Sequence, residues 1–415
     1  MFQVLTSIWA LLLGMMLLMV GNGLQGTLLG VRGGIEGFSA VEMSIVMSAY
    51  FVGFLGGSRL TPELIRRVGH VRVFAALASF VSAILVLYAV WANPWFWTVL
   101  RVVIGFCFSG VYVTAESWLN NAASNDTRGK ALSLYMMVQM VGIVVAQGLL
   151  LVADPAGFVL FIIPSVLVSI SFAPILLSIA PTPAFERTKP MSLGQIYRIS
   201  PLGIVGMLLL GGVFSAQFGM GAVYGAEAGL TLVQISIFVS AFYVGATLFQ
   251  YPLGWISDRM DRRALILAVS VLGGLGAIVG FGFGGAFPAL LAAAFMIGGT
   301  SNPLYSLLLA YTNDFVDHED MAAVSGGLVF ANGLGAITGP LITGWMMGVI
   351  GAPGYFVFLG ILLFAMAGYA GWRMTRRAAP VVEDTSSYTP VSMSTSPVAV
   401  EIAIEERDEQ ESTVA

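Results

Sequence analysis

The stretch Val233–Arg263, VQISIFVSAFYVGATLFQYPLGWISDRMDRR, decides the architecture, because its opening occurs twice in the chain. Laid without gaps on Val41–Phe54, VEMSIVMSAYFVGF, it agrees at Val41/Val233, Ser44/Ser236, Ile45/Ile237, Ser48/Ser240, Ala49/Ala241, Val52/Val244 and Gly53/Gly245, an offset of 192 residues. A repeat of that period inside very apolar text points to a duplicated helical membrane domain and away from a short-period solenoid. Both copies run through an apolar helix into a short basic turn, so both are expected to emerge on the same side of the bilayer.

Composition agrees. Of 415 residues, 58% are hydrophobic and only 10% charged, with a mean hydropathy of +0.90, well beyond soluble norms. A bilayer-crossing helix needs about 20 apolar residues. The eight long charge-free runs, two of them broken at Gly284-Gly285-Ala286-Phe287-Pro288 and Gly351-Ala352-Pro353-Gly354, supply ten, and the segments 43–60 and 98–118 bring the count to twelve: 5–29, 41–60, 72–91, 96–119, 130–152, 157–179, 201–224, 233–256, 264–284, 288–311, 322–348 and 354–373. The first has no basic n-region or small-residue cleavage site and reads as a retained helix.

Lys and Arg fall at alternate connections: Arg59, Arg66, Arg67 and Arg72; Arg128 and Lys130; Arg187, Lys189 and Arg198; Arg259, Arg262 and Arg263; Arg373, Arg376 and Arg377. The opposite connections hold only Arg32. This bias predicts that both termini are cytoplasmic. The expected organisation is all-α: a six-helix bundle at 1–180, a cytoplasmic linker at 181–200, a second six-helix bundle at 201–373, and a disordered acidic tail at 374–415. The single cysteine, Cys107, forms no internal disulfide.

Six plus six helices with cytoplasmic ends, and a basic turn after the eighth span, resemble the major facilitator superfamily. Gly254-Trp-Ile-Ser-Asp258-Arg259-Met-Asp261-Arg262-Arg263 is close to that superfamily's loop signature, departing by Asp261 where a Gly is usual. Arg101 followed by Gly105 resembles its buried-arginine motif, and Tyr112, Glu116 and Arg128-Gly129 resemble its fourth-span-to-loop pattern. AESWLN (Ala115–Asn120) and AYTND (Ala310–Asp314) further resemble a poorly characterised bacterial branch of permeases. The resemblance implies two pseudo-symmetric six-helix bundles and a secondary carrier of the bacterial inner membrane.

The first-half counterpart of the loop signature is degenerate: Asp258 corresponds to Arg66, Arg259 to Arg67, Arg262 to His70 and Gly254 to Pro62. Helix N-termini favour anions. The charges suggest two contacts between the halves that close the cytoplasmic side: Asp258 facing the Arg128 end of the fifth span, and Arg66 and Arg67 facing Asp314 and Asp317 before the eleventh. A second reading of Arg66 and Arg67 is contact with lipid headgroups. Glu116 also has two readings, a structural charge relay or a proton-carrying carboxylate.

A carrier of this architecture needs polar groups at mid-depth, where they are costly unless they face protein or water. That selects Asn22 and Gln25 on the first span, Arg101 and Tyr112 on the fourth, and Gln139 and Gln147 on the fifth. On the second half it selects Gln217 and Tyr224, Tyr243, Asn302 and Tyr305, and Asn332. Gln25 and Gln217 differ by the repeat offset, so the pair can grip a neutral polar solute, while each alone can also serve as interhelical glue. Arg101 suits structural anchoring and contact with a substrate anion equally. The acidic residues Glu36, Glu42, Asp154 and Glu227 all fall near the outer surface, which disfavours a cationic substrate.

His70 and His318 lie in cytoplasmic loops, so no metal cluster is expected. There is no phosphate-cradling Gly-x-x-x-x-Gly-Lys-Ser/Thr run, and His, Asp, Ser and Lys do not gather at one interface. The sequence therefore reads as a non-enzymatic carrier without cofactor, metal or nucleic-acid partner, a monomer in the lipid bilayer. It is expected to move a small neutral or anionic organic solute by alternating access, with a proton or ion as a candidate coupling partner. A multidrug-type exporter of amphipathic compounds and a transporter-derived membrane sensor are the alternatives.

Overall fold

The computed structural model describes residues 2–122, 128–173, 191–316, 318–376 and 388. Among them there is no strand. The helices are α1 (Phe2–Ile35), α2 (Ala40–Val68), α3 (His70–Val90), α4 (Pro94–Ala122), α5 (Arg128–Leu149) and α6 (Val159–Ser171), then α7 (Leu193–Ile199), α8 (Pro201–Glu227), α9 (Leu232–Ser257), α10 (Arg262–Phe283), α11 (Phe287–Asn313), α12 (His318–Ile350) and α13 (Gly354–Met374). Eleven are long and apolar enough to cross a membrane, and α6 is a shorter apolar helix. The protein is thus an all-α membrane protein. The expected end of the sixth span lies outside the described residues.

Contacts cluster into two compact units, α1–α6 and α7–α13 for the most part. Within the first, α1 packs on α5 and α6, and α3 on α4 and α6. Bare backbone sets the α2–α4 crossing: a Cβ on Gly53 would overlap the Val102 carbonyl, and one on Gly105 would overlap the Tyr50 carbonyl. Within the second unit, the α9–α11 crossing is built the same way. A Cβ on Gly245 would overlap the Phe295 carbonyl, and one on Gly298 the Phe242 carbonyl. Small residues allow such close approach where lipid supplies no hydrophobic drive between helices. Gly53 and Gly245 are the repeat pair found in the sequence, so the duplicated text encodes a duplicated helix crossing.

Several boundaries differ from expectation. The second span does not stop at residue 60: α2 runs through Pro62 to Val68 and ends where Gly69 takes φ +86°, with the Gly69 N–H bonding the Ile65 carbonyl at 2.7 Å. A glycine in left-handed conformation is a commoner helix stop than an interior proline near the last turns. The linker contains α7, started by a capping box in which Ser192 and Gln195 satisfy each other's backbone N–H groups. Its Ile196 is fully buried against α12, where a Cβ on Gly327 would overlap it. Arg32 pairs with Glu36 at 2.6 Å and donates to the carbonyls of Pro155, Ala156 and Gly157, tying the end of α1 to the α5–α6 loop. Of the expected tail, residues 374–376 and Tyr388 are described, and the rest lies outside.

Candidate functional site

Each unit buries a polar cluster inside its apolar helices. In the first, Arg101 projects from α4 and is 3% exposed. Its Nη1 donates to Gln25 Oε1 at 3.0 Å, and its Nη2 to Met47 Sδ at 3.1 Å. The Gln25 amide in turn donates to Asn22 Oδ1 at 3.4 Å. The guanidinium carbon lies 4.8 Å from the centre of the Tyr50 ring, a cation–π distance. The sequence candidates Asn22, Gln25 and Arg101 therefore form one chain of contacts, and every partner is uncharged. Tyr112 donates to Met19 Sδ at 3.0 Å. Gln139 is buried with Nε2 unpartnered among the described residues, and Gln147 accepts from Thr27 at 3.1 Å.

Lower on α4, toward its C-terminal end, Glu116 is fully buried and accepts from the Tyr135 hydroxyl at 3.2 Å. One residue on, Ser117 meets His70 Nε2 at 2.9 Å. Arg128 begins α5.

In the second unit α8 is interrupted: Ala216–Met220 forms a π-helical turn between two α-helical stretches. Such turns swing side chains out of α register and concentrate at functional sites. Gln217 sits in it, 1% exposed, and its amide and the Ser301 hydroxyl of α11 bond each other at 3.0–3.1 Å. Phe218 of the same turn packs its ring 4.7 Å from Tyr243. Asn302 donates to Gln250 Oε1 at 3.3 Å, while Gln250 Nε2 donates to Ser306 at 3.3 Å and to the Tyr388 hydroxyl at 2.9 Å. Tyr305 is fully buried beside them in sequence. Asn332 spends its amide on the Met207 carbonyl at 3.2 Å, holding α12 to α8. Tyr224 stacks on Tyr355 with ring centres 4.9 Å apart.

Gln25 and Gln217, one repeat apart, each bond the fourth spanning helix of their own unit, α4 and α11. Sequence reasoning missed Ser301, Gln250, Tyr50 and Tyr388. Gln250 could have been found, since it is an amide between Phe249 and Tyr251 in an apolar run. Ser301 could not, because most helical serines satisfy themselves on a carbonyl one turn back.

The charged turn between α9 and α10 is ordered by local pairs. Asp261, standing where the signature resembles Gly, caps α10: its carboxylate accepts from the Arg263 N–H at 3.0 Å and from the Arg263 guanidinium at 2.8 and 3.1 Å. Burial works against its charge, but these bonds outweigh it and hold the carboxyl below the usual range. Arg262 reaches Asp314 at the end of α11 at 2.5 Å and Ser257 at 3.2 Å, and lies 3.7 Å from Asp258. Asp258 accepts from the Tyr388 backbone N–H at 2.7 Å. Arg259 stacks over Trp255 at 4.2 Å. Asp314, grouped from the sequence with Arg66 and Arg67, is thus placed with Arg262, because the end of α11 passes the α9–α10 turn of its own unit. Arg66 and Arg67 are largely exposed and pair with Glu63 on α2 at 2.7 and 2.8 Å. Asp317 lies outside the described residues.

Comparison with known proteins agrees with this architecture. The profile of the Major Facilitator Superfamily matches residues 11–238 and again 202–399. Proteins named uncharacterized MFS-type transporter YcaD are similar: that of Salmonella arizonae is 27% identical over 341 residues, 81% of this chain and 88% of its own. That of Escherichia coli O45:K1 is 28% identical over 342 residues, with the same coverage. Among solved structures, a variant of the nucleoside transporter NupG superposes with a TM-score of 0.76 at 14% identity, covering 88% of this chain and 99% of its own. The E. coli fucose:proton symporter FucP gives 0.57 at 15% identity, covering 89% and 99%. With two overlapping profile matches that together cover residues 11–399, this chain belongs to the Major Facilitator Superfamily.

Proposed function

We propose that this protein is a secondary carrier of the bacterial inner membrane, with both termini cytoplasmic, that exposes a binding site alternately to the two sides and moves a small polar organic solute, neutral or anionic. The observation that carries the reading is the pair of buried clusters, Asn22–Gln25–Arg101 and Gln217–Ser301 with Gln250–Asn302. Amides and a guanidinium in membrane helices cost free energy that packing alone does not require, and their donors and acceptors suit hydroxyl, carbonyl or carboxylate groups. The structural neighbours, a nucleoside transporter and a fucose:proton symporter, support a small polar organic cargo. The closely bonded Glu116–Tyr135 pair is the candidate for proton coupling.

Purified protein reconstituted into proteoliposomes, with and without an imposed proton gradient, tests this reading with labelled nucleosides, sugars and short carboxylates. The expected result is gradient-responsive accumulation of at least one class, reduced by Gln25→Ala and Gln217→Ala. Absence of accumulation of every class in either direction would leave the sensor alternative in its place.

A further inference from the structure

Among the described residues, no acidic side chain forms an ion pair with the buried Arg101. Its partners among the described residues are an amide oxygen, a thioether and an aromatic face. Its Nε–H has no hydrogen-bond partner. The Tyr88 hydroxyl of α3 lies beside the guanidinium and has no partner of ordinary geometry either. Both residues are at least nine-tenths buried, Arg101 at 3% and Tyr88 at 1% exposure. Buried donors are normally satisfied, and each exception calls for an explanation.

The two gaps describe one missing group. Nε and Nη2 form the edge of the guanidinium fork that matches the two oxygens of a carboxylate. Nη2 donates to Met47 Sδ, a weak acceptor that an oxyanion can displace. Gln25 holds the opposite corner, Nη1, and is itself braced by Asn22, so the fork is fixed in orientation. Next to Gln25, a Cβ on Gly26 would meet nothing within 4 Å, and Asn22 and Tyr50 are half-buried, so the cluster is not sealed by packing on that side. A structural anchor would instead spend a buried arginine on carbonyls or a carboxylate, as Arg262 does with Asp314 and the Ala310 carbonyl.

We propose that Arg101 and Tyr88, oriented by Gln25, form an anion-binding subsite, and that the solute bears an oxyanion, most simply a carboxylate. This rests on the carrier reading and narrows it from neutral or anionic to anionic.

The test is thermal unfolding of the purified full chain with acetate, lactate, benzoate, succinate and inorganic phosphate, each carboxylate set against its neutral amide. At least one anion is expected to raise the unfolding temperature of the wild type while its amide does not. Arg101→Met should abolish that shift, and Tyr88→Phe should weaken apparent binding roughly tenfold, the loss of one hydrogen bond to a charged group. Without anion, Arg101→Met should melt at or above the wild-type temperature, since it removes an uncompensated charge. The proposal is overturned if no anion shifts the wild type, if the shift survives in Arg101→Met, or if that variant without anion melts several degrees lower, which would make Arg101 an anchor. Transport of a neutral solute that is indifferent to Arg101→Met would sink this subsite and leave the carrier reading standing. Anion binding without transport would do the reverse.

Discussion

Arg262 holds Asp314 at 2.5 Å with both side chains 2% exposed, joining the first turn of α10 to the end of α11. Removing Asp314 leaves the buried Arg262 without its short contact and with the longer 3.7 Å approach to Asp258. Asp314→Ala is therefore expected to destabilise the protein by about 3–5 kcal/mol. The double variant Arg262→Met/Asp314→Leu should cost clearly less than the two single changes summed. Thermal or denaturant unfolding in detergent measures this, and strict additivity would contradict a buried pair.

The glycine crossings predict a graded response. Gly245→Val forces α9 away from the Phe295 carbonyl, and Gly53→Val forces α2 away from the Val102 carbonyl. Each is expected to lose about 1–3 kcal/mol or more from overpacking. Gly368 of α13 has nothing within 4 Å of a built Cβ, so Gly368→Ala should leave the unfolding temperature unchanged or raised. Equal losses at all three positions would refute the close-approach account.

Gln217 and Ser301 bond each other across α8 and α11, so removing either should have the same effect as removing both. A double-mutant cycle is expected to give a coupling near 0.6 kcal/mol and below about 1.7, the range for polar pairs between membrane helices. On the proposed reading, in which Gln217 contacts the solute, transport should fall further than stability does in Gln217→Ala. A variant with normal transport and reduced stability would assign Gln217 to packing alone.

Asp261 gives a prediction with a sign in pH. Replacing this cap by Ala should cost about 1 kcal/mol, and by Gly only a few tenths. The carboxyl is held below its ordinary value, so its contribution is fully present above the unfolded value of about 3.9 and is lost as pH falls through the lowered folded value. The stability difference between wild type and Asp261→Ala should therefore be flat from neutral pH to about 5 and close at lower pH. A gap that widens on acidification would contradict the capping role.

Much of the fold was legible because membrane helices advertise themselves by length, and because Gly53 and Gly245 had to be kept in both copies of the text for the helices to cross closely. The candidate clusters were legible only in part. Arg101, Gln25 and Asn22 stand out as polar letters in apolar runs, and the structure joins them. The π turn at Ala216–Met220 leaves no such mark: its residues, AQFGM, are unexceptional. The run from Thr61 to Val68 was lost to the charge of Glu63, Arg66 and Arg67, which end an apolar stretch without ending a helix. Local pairing at the charged turn was hidden too, since sequence shows that Asp314 is acidic but not that Arg262 is the cation within its reach.

Tyr388 is far from any apolar run and gave no signal, yet its ring fills the slot that Gly254 leaves beside α9, where a Cβ would come within 2.5 Å of the ring. Burial also pushes its hydroxyl up from the ordinary tyrosine range. Any Cβ at Gly254 has to displace the ring, so Gly254→Ala should lower the unfolding temperature of the wild type and change it little on the Tyr388→Ala background, where the slot is empty. Equal losses on the two backgrounds would mean that the ring does not occupy it.

That contact changes how the protein should be shortened for laboratory use. Trimming at the end of α13, the natural choice from hydropathy, would strip a side chain that covers Gln250 and a peptide N–H that engages Asp258, so such a truncate is a perturbed protein and a poor reference for activity. A cut placed beyond residue 388, or an affinity tag carried there, keeps the clasp and removes most of the acidic extension.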